Sequence, residues 1–90
     1  MRNEKHPPAD ALPPLPPRAA PGLYRHYKGN LYEVIDTVRH SETLEALTLY
    51  RALYGERGLW VRPAAMFLED VQVGGVIQPR FRRVDDAGTP

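Results

Sequence analysis

The chain has 90 residues, ten prolines, no cysteine and a formal net charge of +1. The lack of cysteine excludes disulfide staples, thiolate nucleophiles and Cys-ligated zinc, and suits a cytoplasmic location. The near-neutral charge gives little support to a nucleic-acid partner, and no apolar run approaches the roughly 20 residues that span a bilayer.

Residues 1–22 carry Pro7, Pro8, Pro13, Pro14, Pro16, Pro17 and Pro21. Repeated proline removes backbone donors and fixes φ, so this stretch is read as a disordered, extended leader. Within it, Pro13, Pro16 and Arg18 have the PxxPxR spacing that suits polyproline-binding grooves, though a plain linker explains it as well. The foldable part is then residues 23–84, followed by a polar tail at 85–90. A domain this short buries only about 60% of the surface of its unfolded chain, which makes homodimerisation a reasonable expectation.

Residues 23–28 and 31–39 are two β-favouring runs on either side of Gly29-Asn30, and a two-residue type II′ turn is predicted there. That register sets Tyr27 against Tyr32 and His26 against Glu33, with Tyr27, Tyr32, Val34 and Val38 forming the buried side. Residues 42–54 are ambiguous. Ser41 as an N-cap, Glu42 and Glu45 in a first turn and Gly55 as a terminator suit a helix. A strand over Leu47–Tyr54 is preferred, because Gly55-Glu56-Arg57-Gly58 makes a compact turn and Leu59–Arg62 reads as its return strand. Pro63 then opens a helical turn to about Leu68, with Met66 and Phe67 capping the core. Val71–Val73 and Val76–Gln78 flank Gly74-Gly75 in a last hairpin, with Pro79 at its edge. Arg80, Arg82 and Arg83 offer a local cationic patch for a phosphate backbone, but a solvated, frayed end is the preferred reading. The expected fold is mainly β, a small SH3-like antiparallel barrel of five or six short strands with one helical turn at 63–68; the alternative is α+β with a helix at 42–54.

The segments Tyr24–Asn30, Arg39–Glu45, Tyr50–Gly55 and Leu59–Pro63 with Met66-Phe67 resemble the bacterial domain-of-unknown-function family 1653, over about residues 22–81. The resemblance implies a short, usually stand-alone cytosolic domain with no established activity or cofactor, and it supplies no catalytic residue.

Three candidate sites follow from the residues themselves. His40-Ser41-Glu42-Thr43 places the chain's only serine beside an imidazole and a carboxylate. Sequence neighbours on a strand point to opposite faces, however, so a turn held by its own hydroxyls is the simpler reading. His26 opposite Glu33 is an acid/base or metal couple that lacks a third ligand unless Asp36, His40 or Glu42 approaches. Tyr24, Tyr50 and Trp60, interleaved with Arg39, Arg51 and Arg62, form a possible aromatic and guanidinium platform.

The leading functional reading is therefore a non-catalytic protein or peptide interaction module, self-association included. An RNA or single-stranded DNA binder is the first alternative. A small enzyme or ligand-binding domain built on the His40–Thr43 segment is the second. No cofactor is implied.

Overall fold

The computed structural model describes residues 12–84. The leader's first eleven residues and the polar tail at 85–90 lie outside the described residues. Seven strands and one short helix follow each other as β1 (Gly22–His26), β2 (Leu31–Arg39), β3 (Ala46–Ala52), β4 (Leu59–Pro63), α1 (Ala64–Phe67), β5 (Asp70–Val73), β6 (Val76–Pro79) and β7 (Phe81–Arg83).

The ambiguous segment is a strand. Along β3, buried residues alternate with half-buried ones from Ala46 to Ala52, the period-2 signature of a pleated strand, and β2 and β4 flank it as antiparallel neighbours. The helix alternative at 42–54 is thereby excluded, and the fold is mainly β. Its barrel does not close. One five-stranded sheet runs β4-β3-β2-β1-β7, and β5 with β6 forms a separate two-stranded ribbon. The SH3-like barrel expected from the sequence fails because those last hairpin strands pair with each other and leave the edges of the larger sheet open.

The first hairpin forms, but in another register. Gly29 donates from its N–H to the His26 carbonyl at 2.7 Å, and His26 donates to the Asn30 carbonyl at 2.8 Å, so Tyr27, Lys28 and Gly29 make a three-residue loop. Gly29, at φ 111°, takes the positive-φ position that ends such a loop. The pairing becomes Tyr24 with Tyr32 and Leu23 with Glu33. This slip by an odd number of residues turns Tyr24 inward and leaves Tyr27 in the loop. A bulge between Val34 and Asp36 then reverses the facing of the rest of β2. Val38 consequently lies opposite Leu47 on the outer side, away from Val34.

The core sits on the inner face. Tyr24, Val34, Tyr50, Phe67, Phe81 and Ala19 form one buried cluster, with Tyr32 packed against it. Phe67 and Phe81 stack with centroids 4.0 Å apart and planes 4° from parallel. Tyr24 and Tyr50 meet Phe67 at 5.6 and 5.4 Å. Small side chains at Ala46, Thr48 and Ala52 on β3 leave room for these rings. Phe67 therefore caps the core as expected, whereas Met66 points outward at 43% exposure.

The C-terminal segment is not a frayed end. β7 pairs antiparallel with β1, setting Phe81 against His26 and Arg83 against Tyr24, and Val84 donates to the Leu23 carbonyl at 2.8 Å. The late leader also touches the domain. Ala19 is buried, Tyr24 donates its hydroxyl to the Ala20 carbonyl at 2.8 Å, and Arg83 donates to the Pro21 carbonyl at 2.9 Å.

Candidate functional site

The His40–Thr43 segment forms the turn between β2 and β3. His40 donates to the Glu45 carbonyl at 2.8 Å, and Leu44, at φ 64°, donates to the His40 carbonyl at 2.9 Å. The imidazole Nδ1 accepts the Glu42 and Thr43 backbone N–H groups at 3.1 and 3.3 Å, and Thr43 Oγ1 accepts from Glu45 at 3.1 Å. A base needs a free lone pair aimed at the nucleophile, whereas this Nδ1 is spent on the turn's own amides. The segment works as a cap built from a histidine.

His26 and Glu33 are not partners. Under the observed register Glu33 lies between Leu23 and Arg51 on the outer face, while His26 lies against Phe81 on the inner one. Among the described residues no group of three His, Cys, Asp or Glu side chains is close enough to hold a metal ion.

The proposed aromatic and guanidinium platform also divides. Tyr24 and Tyr50 are core residues. Arg39 holds the turn through the Leu44 carbonyl and the leader through the Pro13 carbonyl. Arg51 is on the outer face and donates to the Arg57 carbonyl at 2.7 Å. Trp60 and Arg62 remain on the inner side of β4, opposite Tyr50 and Thr48. A recess of 540 Å³ between the leader and β2, lined by residues 17–21 with Asp36 and Thr37, holds none of these candidates.

Two groupings emerge instead. The first is the outer edge of β4, which no other strand among the described residues covers and where Leu59, Trp60 and Val61 are 52%, 60% and 52% exposed. Ala52 donates to the Gly58 carbonyl at 3.1 Å, which makes Gly58, Trp60 and Arg62 the residues whose backbone groups bond to β3. The N–H and C=O groups of Leu59 and Val61 therefore point away from the sheet.

The second lies at the mouth of the inner face, where the sheet curls enough for the Arg62 guanidinium on β4 to sit 5.9 Å above the Phe81 ring on β7. His26 meets the same ring edge-on at 4.9 Å. Burial, followed by the charges of Arg80, Lys28 and Arg62, holds the His26 imidazole below its ordinary value of about 6.5. Beside it the Tyr32 and Tyr54 hydroxyls hydrogen-bond at 2.7 Å. Burial and that bond push the Tyr32 phenol up to about 12. Sequence reasoning weighed Arg80 only as part of a cationic cluster with Arg82 and Arg83, and missed Phe81. The available signal was the alternation Pro79-Arg80-Phe81-Arg82, an apolar residue recurring every second position.

With this geometry in view, comparison with known proteins is informative. The profile of the family described as "Protein of unknown function (DUF1653)" matches residues 22–83. The chain belongs to DUF1653. A DUF1653 protein from Bordetella bronchiseptica, known from its crystal structure, is 38% identical, with a TM-score of 0.68 over 73% of this chain and 87% of that one. No curated protein matches. The DUF1653 match starts at Gly22, where β1 starts, so both features of the domain just described fall inside the family region and the leader falls outside it. No helix among the described residues is long and apolar enough to cross a membrane.

Proposed function

We propose that this DUF1653 chain is a non-catalytic interaction module that pairs through the free edge of β4, with a second copy of itself as partner. The observation that carries this reading is the exposure of Leu59, Trp60 and Val61 on an edge strand with no charge among the three. Soluble proteins ordinarily blunt such an edge with a lysine, a proline or a covering segment, because unpaired backbone groups recruit another strand. Here Pro63 closes only the far end.

The edge is also self-complementary. An antiparallel two-fold pairing with Leu59 facing Val61 of the second copy satisfies every outward N–H and C=O of both residues, and brings the two Trp60 rings side by side. In that register Arg62 faces Gly58, so no like charges meet. Shifting it to set Leu59 against Pro63 would leave the Leu59 carbonyl without a donor. Neither the His40–Thr43 turn nor the divided arginines supports the catalytic or nucleic-acid alternatives.

Sedimentation equilibrium tests the proposal. The mass is expected to rise with concentration from 10.2 kDa toward twice that value. Val61→Lys and Val61→Pro, which alter only the outward edge, are expected to hold it at the monomer value. A wild-type protein that stays monomeric to millimolar concentration, or edge variants that dimerise unchanged, would overturn it.

A further inference from the structure

We infer that the mouth of the inner face, between Arg62 on β4 and Arg80 at the entrance to β7, binds a phosphate group, with His26 at the floor of the site beside Phe81. Arg62 and Arg80 come from the two sides of the curled sheet. Each has a buried Nε with no hydrogen-bond partner among the described residues, so a donor on each guanidinium has been taken from water. A guanidinium desolvated in this way keeps its full charge with little water around it, and gains most from an oxyanion that reaches its accessible nitrogens.

The surrounding charges point the same way. Arg80 is held by its backbone, donating to the Glu69 carbonyl at 2.9 Å and accepting from Tyr27 at 2.9 Å, so its side chain springs from a fixed base. Its carboxylate partner is Glu69, at 3.5 Å, which is 53% exposed and therefore weakly bound. The charged groups acting on His26 from the loop, from β4 and from the approach to β7 are Lys28, Arg62 and Arg80, all cations. From β2 the neighbour is the Tyr32 ring, whose hydroxyl bonds Tyr54. Three cations, Lys28, Arg62 and Arg80, exceed the one carboxylate of Glu69 by two charges, while the His26 imidazole is neutral near pH 7. That excess matches the charge of about −1.5 to −2 that a phosphate group carries near pH 7. The remainder of the rim is aromatic, with Tyr54 and Trp60 exposed at 45% and 60%.

The full-length protein offers a direct readout. Of its three histidines, His26, whose Nδ1 accepts the Lys28 N–H at 3.1 Å, reports on the site through its ring beside Phe81, and His40, in the separate turn between β2 and β3, serves as an internal control. The ring-proton shift of His26 is followed by NMR against pH, with inorganic phosphate and with chloride at equal ionic strength. Phosphate is expected to shift His26 saturably and to raise its titration midpoint, leaving His40 in place. Arg62→Gln and Arg80→Gln, each checked for an unchanged far-ultraviolet dichroism spectrum, are each expected to weaken the phosphate effect by about tenfold. A second titration with a nucleoside 5′-monophosphate separates the sources. Tighter binding identifies a phosphoester that also stacks on the exposed rings, and equal binding identifies free phosphate. A His26 response that chloride reproduces, or that survives both substitutions undiminished, overturns the inference.

Discussion

Thr48 shows how a single residue carries information that hydropathy does not. It is fully buried on the inner face of β3, opposite Thr37 and Arg62, and its Oγ1 has no hydrogen-bond partner among the described residues. A Val at that position would normally trade away a hydrogen bond, but here it removes a hydroxyl that is already uncompensated. Thr48→Val is therefore expected to stabilise the fold by about 1 kcal/mol, read as a higher urea midpoint at unchanged slope. A lower midpoint would mean that the hydroxyl has a partner in solution. His40 makes the complementary point. It looks like chemistry beside Ser41 and Glu42, yet its imidazole caps the backbone of its own turn. Composition gave no way to tell these roles apart, since both depend on where the lone pairs point.

At the scale of elements, β7 is the one that sequence reasoning lost. Pro79 and three arginines within four residues signal a solvated tail, and only Phe81 interrupts them. That residue is 7% exposed and touches Phe67, Tyr50, Tyr32 and His26. Phe81→Ala should cost about 3–5 kcal/mol, comparable to the whole stability expected of so small a domain, while the neighbouring Arg82→Ala should stay within about 0.5 kcal/mol. Thermal unfolding of both variants checks the contrast. Equal, small effects would return β7 to the status of a tail. The first hairpin illustrates a subtler limit. Its existence, its Gly-containing turn and the extent of its second strand were legible, but the loop has three residues where two were expected. The register with Tyr24 inward prevails because it adds that ring to the contacts around Phe67.

For the molecule as a whole, two titrating groups bracket the stable range. His26 has its midpoint lowered on folding, so the unfolded chain takes up its proton first as the pH falls. The penalty of charging this imidazole among cations is absent above about 6.5 and grows as the pH falls below it, so stability declines on the acid side. Tyr32 is raised to about 12 from 10.0, so the unfolded chain loses its proton first and stability falls as pH rises past 10. A urea-midpoint profile against pH is expected to fall on both flanks. His26→Gln should flatten the acid side near pH 6, and Tyr54→Phe should soften the alkaline one. Flanks unchanged in both variants would assign the losses to other groups.

Local sequence by itself determined the mainly β character, the places where most strands begin and end, the helical turn after Pro63 and the Gly74-Gly75 hairpin, because propensity, alternation and turn chemistry act over a few residues. The tertiary structure alone decided register, facing and closure. Each depends on which rings can fill one small core. Leu47 and Leu49, the most apolar side chains of β3, lie on its outer face so that Ala46, Thr48 and Ala52 can make room for Phe67 and Phe81 from distant parts of the chain. The same packing draws Arg62 over Phe81, brings Arg80 within electrostatic reach of His26 and leaves one edge of β4 unpaired among the described residues, so both proposed sites arise from non-local contacts that no short window of sequence contains.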